Sequence, residues 1–216
     1  MSDSEMKERK ARNFNDAAST WDEEPRRVRL ASEVAEAVKR EVALNGDMDV
    51  LDYGCGTGLV SLILQPLVRS ITGADTSDGM LEILRAKVAA QHLTNVHTLL
   101  LEPERDSLPA ERFDLVLSSM TLHHVEDLGT LLRDFYRVLR PGGLLAVADL
   151  DSEDGSFHGH GLAAAHSGFD RERMRGMLVE AGFRDCRAVT AAMVEKPDAQ
   201  GVVRTYSVFL ITARKK

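Results

Sequence analysis

Cysteine is nearly absent from this chain: Cys55 and Cys186 are the only two, and they lie far apart. That excludes a disulfide framework and a four-ligand zinc pattern. Long apolar runs are missing too; none approaches membrane-spanning length, and the polar, charged N-terminus lacks the apolar core of a secretory leader. A cytoplasmic location is the resulting expectation. There is no excess of positive charge either. Lys and Arg number 27 against 34 Asp and Glu, a formal net charge of -7, which disfavours a nucleic-acid backbone as the main partner. No internal repeat or low-complexity tract appears. What is present is an ordinary soluble composition, 44% hydrophobic and 28% charged over 216 residues, enough for one domain with a sizeable core.

The most informative stretch runs from Asp49 to Gly58, where Val50, Leu51, Asp52 and Tyr53 lead into Gly54, Cys55, Gly56, Thr57 and Gly58. The amphipathic segment Leu59 to Val68 follows at once, so the pattern predicts strand, tight turn and helix. Glycine permits positive φ and carries no Cβ, so a small molecule can lie directly on such a turn. A dinucleotide fingerprint in register with Gly54 and Gly56 needs its third glycine at position 59, which is Leu59. The pattern here is D-x-G-x-G-x-G.

That pattern resembles the first motif of the class I S-adenosylmethionine-dependent methyltransferases. The resemblance implies that Asp52 helps to hold the methionyl end of the cofactor, whose ammonium suits a carboxylate while a pyrophosphate would be repelled. Ser70 to Ala74 reads as a second strand ending at Asp75, the position that accepts hydrogen bonds from ribose hydroxyls. Thr76, Ser77 and Asp78 offer helix-capping oxygens, and Met80, Leu81, Leu84 and Val88 make a helix face. In the family an apolar residue at the place of Met80 lies beside adenine. After a third strand, Val96 to Leu101, an acid should accept from the adenine amino group, and both Glu102 and Glu104 fit. Pro103 lacks an N–H, so Glu102 would leave the adjacent ring nitrogen without that neighbour as donor. The cofactor set implied by the resemblance is therefore Asp52, Gly54, Cys55, Gly56, Gly58, Asp75, Thr76, Met80, Glu102, Glu104 and Ser119.

Phe113 to Ser118 reads as the fourth strand, and Ser119, Met120, Thr121, Leu122, His123, His124 and Val125 follow it. This too is similar to the family's Phe-Asp-Leu-Val and Leu-His-His-Val signature. His123 or His124 is a candidate general base, since histidine titrates near neutrality. Leu131 to Leu139 is a helix halted by Arg140, Pro141, Gly142 and Gly143, and Leu144 to Ala148 is a fifth strand. The loop beyond, from Asp149 through Asp151, Asp154, His158, His160 and His166 to Phe169, borders the substrate side. His158 and His166 are candidates to meet the acceptor, with Asp149 and Asp151 as carboxylate alternatives. No metal site is expected there, because the loop lacks helical i, i+4 histidines and paired cysteines.

Asp170 caps a helix from Arg171 to Ala181. Two strands follow, about Cys186 to Val194 and Val203 to Ala213, joined without a helix and so antiparallel. The expected architecture is a doubly wound α/β domain. It has a mostly parallel seven-stranded sheet with an antiparallel final strand, spans residues 47–216, and carries an N-terminal helical segment, residues 1–46, as arm or lid. In the arm, Phe14, Ala17, Ala18 and Trp21 form one apolar stripe; Val28, Leu30, Val34, Ala37 and Val38 form a second. The resemblance implies methyl transfer from S-adenosylmethionine by direct displacement to a small-molecule acceptor. A protein or RNA acceptor, or a non-catalytic cofactor-binding regulator, are the alternatives.

Overall fold

The computed structural model describes residues 14–102, 108–158, 164–198 and 201–216. The charged segment 2–11 lies outside them. Seven strands form one sheet: β1 (Asp49–Tyr53), β2 (Ser70–Asp75), β3 (Val96–Leu100), β4 (Phe113–Ser119), β5 (Leu139–Leu150), β6 (Arg184–Pro197) and β7 (Val203–Arg214). Their order is β3-β2-β1-β4-β5-β7-β6. The first five run parallel, while β7 pairs antiparallel with both β5 and β6. Among the described residues the sheet is flanked by the α-helices α1 (Pro25–Glu41), α2 (Leu59–Leu64), α3 (Asp78–Ala90), α4 (Leu128–Val138) and α5 (Arg171–Glu180). None of the described helices is long and apolar enough to cross a membrane.

Because side chains alternate along a strand, the sheet builds a core on each face. Leu115 and Leu117 join Val34, Val38, Val60 and Leu64 on the side of α1 and α2. Val116, Leu145, Val147 and Phe209 join Leu132, Phe135 and Leu178 on the side of α4 and α5. Helix starts follow side-chain capping: Ser77 accepts from the Met80 N–H at 3.2 Å, Asp127 from Thr130 at 2.9 Å and Asp170 from Arg173 at 2.8 Å. At the opposite end of the sheet from these loops, Asp49 pairs with Arg69 and Arg140, and Arg140 also with Asp114 at 2.5 Å. The Arg69 guanidinium holds the Asp49 carboxyl far below the usual range.

Two expectations change. Val28 is exposed, so the buried stripe of α1 is Ala31, Val34, Ala35, Ala37 and Val38. The fifth strand starts at Leu139 rather than Leu144. Its register jumps from Phe113↔Leu139 to Leu115↔Leu144, so the Arg-Pro-Gly-Gly residues bulge within the strand instead of preceding it.

Candidate active site

The strand order reverses between β1 and β4, which places a crevice beyond the carboxyl ends of the parallel strands. A cavity of about 1220 Å³ occupies it. The glycine turn forms its floor, pinned by the Gly54 and Cys55 N–H groups donating to the Ala74 carbonyl at 2.7 and 3.2 Å.

The three glycines of the turn are not equivalent. A Cβ on Gly54 would lie 2.3 Å from Thr121 Cγ2, and one on Gly58 would lie 2.3 Å from Leu84 Cδ1. Those two serve close packing. At Gly56, with φ +53°, nothing lies within 4 Å, and the missing Cβ leaves room for a ligand. All three take the positive φ expected from sequence, and Gly56 alone of them also leaves the open space expected for a ligand.

Asp75 ends β2. Its Oδ2 accepts from the Gly56 N–H at 2.8 Å and its Oδ1 from the Ser77 N–H at 2.9 Å. One carboxylate therefore ties the turn to the start of α3, and its other lone pairs remain for hydroxyl donors. Burial pushes its pKa up. Asp52 is 2% exposed and accepts from Ser61 Oγ at 2.5 Å. Burial, opposed by that hydrogen bond and assisted by the Asp75 charge, pushes its pKa up to about 7. Among the described residues no cation compensates this carboxyl, and an ammonium in the cavity would do so.

A pH dependence follows. In the range about pH 5.5 to 6.5 a ligand α-amino group stays charged, its pKa being near 7.7 to 8.0. Binding it beside Asp52 should therefore release close to one proton, with affinity falling about tenfold per pH unit of acidification. Calorimetry with S-adenosylmethionine in buffers of different ionisation enthalpy measures this. Zero proton exchange, or exchange that persists in Asp52→Asn, would remove Asp52 from the amino-acid end of the site.

Thr76, Met80, Glu102 and Ser119 also line the cavity. Met80 is fully buried. Cys55 lines it too, with its thiol pushed well up by burial and so unreactive. Glu104 and His160 lie outside the described residues.

The N-terminal arm crosses this crevice. Asn15 Oδ1 accepts from Ser77 Oγ at 2.6 Å and from the Gly79 N–H at 2.9 Å. Asp22 accepts from Thr57 Oγ1 at 2.6 Å and pairs with Lys87. Phe14 and Trp21 line the cavity with ring centroids 5.9 Å apart, and Phe14 meets His124 edge-on at 5.3 Å. Sequence reading missed Asn15 and Asp22; two polar side chains interrupting an amphipathic arm were the available signal.

Opposite the glycine turn stands a histidine cluster. A 3-10 turn, Leu122–His124, presents His123 and His124 after β4. His123 Nδ1 lies 2.6 Å from Asp149 Oδ1, and its backbone N–H donates to Oδ2 at 3.3 Å. His158 from the loop after β5 joins them, with ring centroids 4.6 Å from His123 and 5.3 Å from His124. Burial, then the neighbouring His123 and Lys196, lower the His158 pKa to about 4, so it is neutral at neutral pH.

Two candidates fall away. The His166 ring donates to the Val125 carbonyl at 2.9 Å and packs on Phe169, away from the cavity lining. Asp151 is held by Arg171 in two bonds of 2.6 Å, which leaves no free base there. Arg26, Arg27 and Lys196, which sequence reading did not single out, form a basic rim of the cavity. Mutual repulsion is among the effects that lower the Lys196 pKa, after burial.

Residues 51–147 match the family described as "Methyltransferase domain". Those residues, from β1 into β5, carry a methyltransferase domain. The chain is 29% identical over 161 residues to an uncharacterized methyltransferase of Schizosaccharomyces pombe, covering 67% of this chain and 56% of the relative. It is 31% identical over 148 residues to a malonyl-[acyl-carrier protein] O-methyltransferase of Serratia marcescens, covering 68% and 55%. The chain thus spans about half the length of these relatives. A solved structure of a possible histamine N-methyltransferase from Thermotoga maritima covers 96% of this chain and is itself covered in full, with a TM-score of 0.72 at 22% identity. That likeness concerns the fold: the methyltransferase sheet, with its antiparallel β7, is the one described above.

Proposed function

We propose that this methyltransferase domain binds S-adenosylmethionine on the glycine turn and methylates a small acceptor lodged between the histidine cluster and the basic rim. The observation that carries this reading is the pairing of Gly56, whose absent Cβ faces open space, with two carboxylates at the ends of β1 and β2, Asp52 buried and Asp75 half-buried. When bound, the cofactor supplies an electrophilic methyl group on a sulfonium. Asp52 compensates its ammonium, Asp75 receives its ribose hydroxyls, and Met80 and Glu102 stand where the adenine would lie. The arm residues Phe14 and Trp21 exclude water from the cavity.

Displacement at such a methyl needs little covalent assistance, and alignment of the acceptor supplies much of the rate. An acceptor hydroxyl or amine must still lose its proton. His123 is the group for that, because Asp149 accepts from Nδ1 and so leaves the Nε2 lone pair directed away from Asp149. The cavity's size and the chain's net negative charge support a small acceptor over RNA. Arg26, Arg27 and Lys196 support one that carries an acidic group. Two free cysteines suit a cytoplasmic setting.

Radiolabelled methyl transfer to small-molecule pools fractionated by anion exchange tests this. Label should enter a retained, anionic fraction. Cofactor binding with no transfer into any pool would overturn the enzymatic reading in favour of a binding protein, and label only in unretained fractions would overturn the acidic acceptor.

A further inference from the structure

We propose that His123, His124 and His158 form a three-nitrogen site for a divalent transition ion of zinc type, with its open position turned to the cavity. One ligand atom from each of the three lies within 4.8 Å of the other two. An ion with bonds of 2.0 to 2.1 Å in tetrahedral geometry needs about 3.4 Å between donors. Closing that gap takes ring movement, and His158 comes from a turn rather than a strand.

The simpler alternative is an aromatic wall, since Phe14 and Phe157 pack on the same rings. Three features favour an ion. The rings are tilted by 36° to 60° instead of stacked, and one nitrogen of each lies within 4.8 Å of the other two. His158 Nε2 is buried with no hydrogen-bond partner among the described residues, a costly arrangement for a packing residue. Asp149 holds Nδ1 of His123, which fixes the ring and its tautomer in the manner of a carboxylate behind a metal-ligating imidazole. Imidazole donors select zinc, copper, nickel or iron, whereas calcium and magnesium require oxygen. The site was hidden in the sequence because His158 reaches the other two only through the loop after β5.

This inference stands apart from the cofactor reading, since ion binding needs no S-adenosylmethionine. It bears on the acceptor: a bound ion takes the same His123 lone pair that would otherwise accept a proton, so base and ligand are exclusive states.

The test is calorimetric titration of chelator-stripped, untagged full chain with Zn²⁺, with Mg²⁺ as the oxygen-seeking control. One Zn²⁺ per chain and no Mg²⁺ response are expected. His124→Ala and His158→Ala should each weaken Zn²⁺ binding at least about 100-fold, and Asp149→Asn about 10- to 100-fold, while His166→Ala leaves it unchanged. X-ray absorption on the loaded wild-type chain, which depends on no variant, should show three imidazole nitrogens and no sulfur. No binding by the wild type, binding that survives His158→Ala, or a sulfur ligand would overturn the proposal.

Discussion

Replacing Gly56 by Val is expected to lower affinity for S-adenosylmethionine by at least about 100-fold, equivalent to about 2.7 kcal/mol, while the domain stays folded. The side chain would enter the open space above the turn, where nothing lies within 4 Å, so the clash is with the ligand and not with the protein. The backbone there has φ +53°, which costs a non-glycine residue on the order of 1–2 kcal/mol. That strain lowers the melting temperature without abolishing the fold. Gly54→Ala and Gly58→Ala should behave differently. Both carry the same strain, and both drive Cβ into a packed neighbour, Thr121 or Leu84, so stability and binding fall together. Calorimetry beside thermal melts separates the two patterns. Near-normal titration of folded Gly56→Val would mean that the cofactor does not lie on this turn.

The contrast among these glycines shows how far the sequence could be read. The strands were legible because parallel strands buried on both faces are short apolar runs ended by glycine or acid, as in Val50 to Asp52 and Ile71 to Asp75. Leu139 to Gly143 misled because Pro-Gly-Gly is also a signal that stops a helix, and only pairing with Phe113 reveals the strand beneath. The cofactor side was legible because its groups are consecutive or sit at strand ends, whose direction the fold fixes.

The acceptor side was less legible because it is assembled from four separated segments, and a loop residue's number says nothing of where its side chain points. His158 enters the cavity while His166, similar in sequence context, turns back to cap the Val125 carbonyl. Asp149 and Asp151 are two residues apart, yet one meets His123 and the other Arg171. Arg26, Arg27 and Lys196 converge only once α1 packs against the far edge of the sheet near β6.

Asp149→Asn should lower turnover by about 10²- to 10⁴-fold once labelled product identifies an acceptor, with cofactor affinity nearly unchanged. Asp149 is fully buried at the end of β5 and accepts three N–H donors: the His123 ring at 2.6 Å, the His123 backbone at 3.3 Å and the Leu150 backbone at 2.7 Å. Asparagine fills the same volume, so packing survives. Its amide can present either an acceptor or a donor to Nδ1, so the tautomer that leaves Nε2 bare is no longer enforced. Asp149 touches neither the glycine turn nor Asp75, which is why the cofactor should be held as before. A purely structural role would instead lower melting temperature, affinity and turnover in step, and unchanged turnover would end the case for a His123–Asp149 pair. Adding Zn²⁺ divides the remaining roles. If the variant's turnover returns at saturating Zn²⁺, Asp149 acts by holding His123 as a ligand; if saturating Zn²⁺ instead inhibits the wild type, whose His123 lone pair the ion takes, it acts by holding His123 as a base.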